Sequence, residues 1–121
     1  MKLGHSIFVS AALLAITPAI AHEGDGPHGG RIVDAGDYHV ELVVKDSRVD
    51  VYLMDGDEKP VAATGFKGTA ILKADGKAQR IALEPTGDLL SGNSGAPLPA
   101  DAKGVVQLTT PDGKTAQGQF K

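Results

Sequence analysis

Residues 38–54 read YHVELVVKDSRVDVYLM. Apolar and polar side chains alternate on both sides of Asp46-Ser47. A period of two marks strands with one buried face, and a short polar break between two such runs marks a hairpin. With Asp46-Ser47 as a two-residue turn, Lys45 faces Arg48, Val44 faces Val49, Leu42 faces Val51 and Val40 faces Leu53. The three apolar pairs make one core face. On the opposite face Val43 meets Asp50, Glu41 meets Tyr52, and His39 meets Met54. A slip of one residue would send the whole apolar set to the wrong side, so the pattern itself selects this register. The like-charged Lys45–Arg48 pair speaks against it, and a longer turn with a bulge is the alternative.

The same alternation continues in both directions. Strands are expected at 31–34, 38–45, 48–54, 68–74, 78–83, 104–110 and 115–120. Asp75-Gly76 and Asp112-Gly113 fall between runs, where tight hairpin turns belong. Residues 91–103 are rich in Gly, Pro, Ala and Ser and form the longest expected loop, a crossing between sheets. No amphipathic helix of ten residues stands out. The expected fold is all-β: a small antiparallel β-sandwich, immunoglobulin-like, of about seven strands.

Upstream of the strands the chain changes character. Lys2 precedes an apolar stretch at 7–16, Pro18 breaks it, and Ala19-Ile20-Ala21 has the small-x-small pattern of a cleavage site. Residues 1–21 are expected to be a signal peptide. An N-terminal membrane anchor is the alternative, but a span needs about 20 apolar residues. Residues 22–30, HEGDGPHGG, are Gly-rich and aperiodic and read as a flexible arm. Residues 31–121 form the β-sandwich domain, so the expected product is exported, soluble and periplasmic.

Composition narrows the functional classes. The 121 residues carry a net charge of −3 and no cysteine or tryptophan. A mildly acidic chain without a basic patch argues against nucleic acid and anionic membrane as partners. Without cysteine there is no disulfide, iron–sulfur cluster, Cys-based zinc site or lipoprotein anchor. Ser91, Ser94 and the histidines form no nucleophile–base motif, and 92–95 is not a nucleophile elbow. Nothing matches a phosphate loop. Residues 55–58, DGDE, resemble half of a calcium loop but lack its remaining ligands and the bidentate Glu at twelve, so they read as an acidic turn.

Chemistry concentrates in His22, His28 and His39, all at the start of the expected mature chain. Imidazole suits copper, zinc and nickel, and a thioether suits Cu(I). His39 opposite Met54 places two such side chains as cross-strand neighbours, with Cβ atoms about 4.5–5.5 Å apart. His28 on the arm is expected to close over that pair. Cleavage after Ala21 would also give His22 a free amine, and amine plus Nδ1 can chelate one ion as half of a copper brace. The alternatives are an ordinary half-exposed strand face and an incidental N-terminal histidine.

Several segments in order resemble the N-terminal periplasmic domain of some adaptor (membrane fusion) proteins of heavy-metal efflux pumps of the resistance-nodulation-division class. They are PHGGRI at 27–32, AGDYHVELVV at 35–44, VDVYLMDGDEKPVA at 49–62 and LEPTGDLLSG at 83–92, followed by the final strand pair. The likeness implies a stand-alone relative of that domain, associated with metal homeostasis. The chain departs from the family at 95–102, where GAPLPADA replaces a stretch that carries a histidine in some relatives.

The expectation from sequence is therefore a periplasmic metal-binding accessory protein of heavy-metal homeostasis or efflux. It would bind an ion or hand it to efflux-pump components. The ion would be copper, with zinc or another divalent cation next, and the ligands His28, His39, Met54 and His22. No enzymatic activity is expected. A metal-free module docking on an efflux or envelope complex is the rival.

Overall fold

The computed structural model describes residues 24–121, and all of its regular structure is β. The signal-peptide reading of residues 1–21, and His22, lie outside the described residues. The strands are β1 (Gly24–Asp25), β2 (Arg31–Ala35), β3 (Tyr38–Lys45), β4 (Arg48–Met54), β5 (Pro60–Val61), β6 (Lys67–Ala74), β7 (Lys77–Thr86), β8 (Leu89–Asn93), β9 (Gly104–Thr109) and β10 (Thr115–Phe120). Among the described residues no helix is long and apolar enough to cross a membrane.

The central hairpin has the register its alternation dictates. His39 pairs with Met54, Glu41 with Tyr52, Leu42 with Val51, and Lys45 with Arg48 across a two-residue turn. Asp46 absorbs the reversal with a φ of 55°. Val40, Leu42, Val44, Val49, Val51 and Leu53 all point into the core. Burying each such side chain contributes roughly 1.5–3 kcal/mol.

Neighbouring strands run β1-β2-β3-β4-β8-β7-β6-β9-β10, every pair antiparallel, with β5 added to the end of β4. Strand β7 turns the corner. Its first part pairs with β6, and Glu84–Thr86 pairs with β8. The two layers of the expected sandwich are thus one continuous sheet, wrapped close to a barrel. At the seam β10 presses on β2: a Cβ added at Gly118 would stand 2.8 Å from Val33 Cγ2. Apolar side chains from both layers, Leu72, Ile81, Leu83, Val106, Leu108 and Phe120 among them, meet the hairpin in one core.

All of the expected strands are present. Three more, β1, β5 and β8, are added by pairing partners rather than by their own periodicity. β8 takes the first residues of the expected long loop, because Leu89–Asn93 completes the outer edge of β4. The remainder does cross between layers, from β8 to β9. It is fastened to the turn of the central hairpin, where the Ser94 and Leu98 N–H groups donate to the Ser47 and Asp46 carbonyls at 2.7 and 2.8 Å. Leu98 and Ala102 from this segment are buried in the core, so GAPLPADA has a packing role.

Along residues 24–30 the arm pairs with the sheet. Gly24 and Asp25 pair with Ile32 and Arg31, and the chain reverses at Pro27-His28-Gly29. The Gly29 N–H donates to the Gly26 carbonyl at 3.0 Å, and the Gly26 N–H to the Gly30 carbonyl at 2.8 Å. Gly29 supplies the left-handed residue, φ 84°, that a three-residue hairpin loop needs. Strand pairing and a buried carboxylate beneath the loop give residues 24–30 a defined course that their composition does not indicate.

Candidate functional site

That carboxylate is Glu41. Alternation puts it on the outer face of β3, yet it is 0 % exposed. The strap formed by residues 24–30 lies over it. Oε2 accepts the N–H groups of His28 and Gly30, each at 2.8 Å, and Oε1 stands 2.8 Å from His28 Nδ1. An unpaired buried carboxylate would be costly, and here both oxygens are satisfied. The close approach needs glycine: a Cβ at Gly26 would fall 2.2 Å from Glu41 Cδ, and one at Gly30 would fall 2.2 Å from the Leu42 carbonyl oxygen.

His28 lies flat on Tyr52, with ring centroids 3.6 Å apart and planes inclined by 4°. Its side chain is still 46 % exposed. A carboxylate can only accept at Nδ1, so the neutral ring carries its proton there and its lone pair at Nε2. A histidine held by a carboxylate on one nitrogen, with the other left available, is the usual arrangement of a metal-ligating imidazole.

Beside this ring opens a cavity of about 620 Å³, lined by His28, Glu41, Tyr52, Met54, Glu58 and Asp88 together with apolar groups such as Val61 and Leu89. Its size is that of a small-ligand site. Met54 is almost fully buried, 6 % exposed.

The structure places the sequence-derived residues as follows. His39 and Met54 are cross-strand partners. His39 Nδ1 meets Asp34 Oδ1 at 2.7 Å, so it too carries a carboxylate on one nitrogen. His28 does not close over the His39–Met54 pair. It sits one step along the same face, over Glu41–Tyr52, because Glu41 is the anchor of the strap. His28 and Met54 share the cavity lining, whereas His39 is not part of it. Among the described residues no three of His, Asp and Glu stand close enough to hold one ion.

Glu41, Glu58 and Tyr52 were not singled out as site residues by the sequence. Glu41 shows one legible signal, an acid among apolar residues on the face of the candidate ligands. Past Met54, the 55–59 turn is organised by Asp55, whose Oδ1 accepts the Asp57 and Lys59 N–H groups at 2.8 and 3.0 Å. The Lys59 bond foremost holds its carboxyl below the usual range, with smaller contributions from the Asp57 N–H and the charges of Lys59 and His39. No family model matches this chain, and no curated protein or solved structure does.

Proposed function

We propose that the protein is a metal-binding accessory protein of the periplasm that holds copper, or next to it zinc, at His28 and Met54 without covalent chemistry. The observation that carries this reading is the Glu41–His28 contact. It orients the imidazole, assigns its proton to Nδ1 and leaves Nε2 as a donor on a ring that lines the same cavity as Met54. Imidazole and thioether together favour Cu(I), and imidazole alone also suits Zn(II). His39, across from Met54, is the nearest further donor in the hairpin register, and His22 would reach the site only from outside the described residues. The periplasmic setting rests on the signal-like residues 1–21, and a role beside heavy-metal efflux rests on the resemblance of residues 27–92 to the adaptor domains.

The test is titration of the protein beginning at His22 with Cu(I), Cu(II) and Zn(II) against competing chelators. One tight equivalent is expected, weakened by His28→Ala and by Met54→Ala. Equal affinity in the parent and both variants would remove the site. Weak, non-stoichiometric binding of all three ions would favour a docking module instead.

A further inference from the structure

Three lysines scattered along the chain, Lys73, Lys103 and Lys121, line one cleft of about 430 Å³ on the outer face of β6, β9 and β10. Strand pairing collects them. Gly104 of β9 pairs with Leu72 on one side and with Phe120 on the other. One step further, the Lys73 N–H donates to the Lys103 carbonyl at 2.8 Å, and Lys121 follows Phe120 beside Lys103. The three therefore stand in one row across adjacent chains, whose backbones lie about 4.8 Å apart. Gly104 permits the approach, since a Cβ there would run into the Ile71 carbonyl oxygen. The next row on this face reads Arg80, Ile71, Val105, Gln119, each paired with the next. Ile71 and Val105 are partly exposed and, with Ala78, form the apolar side of the cleft.

Like charges set side by side across a sheet cost stability, and no local acid offsets the cost. Among the described residues no Asp or Glu lines the cleft. Lys73 and Lys103 make no ion pair among the described residues, and neither do Asp75 and Asp101, the acids nearest to them in the chain. The net charge of −3 conceals this patch, because its members become neighbours only on folding.

We infer that the cleft binds a small phosphate-bearing molecule with a short apolar body. Lysine holds phosphate as a point charge. A phosphate monoester carries roughly 1.5 to 2 negative charges at neutral pH, so one head can face more than one lysine of the row. Its apolar body lies over Ile71 and Val105. The cleft falls within the size range of small-ligand sites. A soluble ligand fits better than an anionic membrane, which would repel the net negative charge of the whole protein. The inference stands apart from the metal reading, since the cleft shares no residue with the cavity of His28 and Met54.

The experiment titrates the protein with hexyl phosphate and with inorganic phosphate and follows backbone amide shifts. It uses the parent, Lys73→Ala, Lys103→Ala, and Lys67→Ala as a control on β6 outside the cleft. Hexyl phosphate should give saturable shifts confined to residues 71–73, 103–105 and 119–121. Lys73→Ala and Lys103→Ala should each weaken it by about two- to fivefold, the scale of an exposed charge pair, and Lys67→Ala should leave it unchanged. Added salt should weaken it as well. Inorganic phosphate bound as tightly as hexyl phosphate would overturn the apolar half of the site. Both cleft variants should unfold at or above the parent's midpoint, and a lower midpoint in both would overturn the claim that the row is kept at a cost. No saturable shift, or equal affinity in the parent and both cleft variants, would overturn the site. Shifts that appear only with phosphatidylglycerol vesicles would overturn it in favour of a membrane-facing patch.

Discussion

Glu41 and His28 stand 13 residues apart in the chain, and the fully buried carboxylate of the one lies 2.8 Å from Nδ1 of the other. The contact joins two properties that the sequence keeps separate. It fixes the strap to the sheet, and it decides which imidazole nitrogen faces out.

Glu41→Ala should therefore release the strap. Two N–H groups and an imidazole lose their acceptor, and water entering the space is the only replacement. The expected loss is about 1–3 kcal/mol. Amide exchange should speed up at residues 24–30 while β3 and β4 keep their protection. Protection of the strap equal to that in the parent would show that strand pairing alone holds it.

Glu41→Gln separates anchoring from orientation. Its carbonyl can still accept from the strap, but its NH2 can donate to Nδ1 and move the ring proton to Nε2. Metal affinity should fall by roughly 10–100-fold, as for other orienting partners of metal-bound histidines. Nitrogen-15 shifts of His28 report the tautomer directly, and an unchanged Nδ1–H form would refute the assignment.

The strap glycines should differ among themselves. Gly30→Ala drives a Cβ to 2.2 Å from the Leu42 carbonyl oxygen, whereas at Gly29 nothing lies within 4 Å. Gly29→Ala then costs only the left-handed backbone, about 1 kcal/mol. Gly30→Ala should cost more, about 1–3 kcal/mol, through displaced backbone. Urea unfolding of both variants checks the order.

Acid should weaken the 55–59 loop in a definite window. Asp55 has its pKa lowered from 3.8, first by the Lys59 N–H, and Asp112 has its own lowered from 3.8, first by the Thr110 hydroxyl. A depressed folded pKa means a contribution fully present above the unfolded value of 3.8, and lost as pH falls through the lower folded value. Melting temperature followed downward from pH 5 should therefore fall less steeply below pH 4 for Asp55→Asn than for the parent. Parallel curves would refute the link.

At the seam, Gly118→Val should push β10 from β2, since a Cβ already meets Val33 Cγ2 at 2.8 Å and Val40 Cγ2 at 3.1 Å. The expected loss is about 1–3 kcal/mol of overpacking. An undiminished urea midpoint would mean the seam is loosely packed.

The sequence by itself determined the local part of this protein. Residues 38–54 carry their own register because a period of two, a two-residue turn and one buried face admit a single alignment. The other long strands, and the turn at Asp75-Gly76, follow from the same alternation and turn chemistry. The tertiary structure decided what depends on partners distant in the chain. β8 exists as the neighbour of β4, β5 as an addition to its end, and β1 as an addition to β2. Glu41 reads as a solvent-facing residue in its own strand and is buried only because a glycine-rich segment, with no periodicity of its own, docks on it. His28 follows Glu41 and so lies over Tyr52 rather than over Met54 and His39. Alternation reports which face of a strand a side chain occupies. It does not report what later covers that face, because that cover is supplied by contacts between segments whose own patterns are silent.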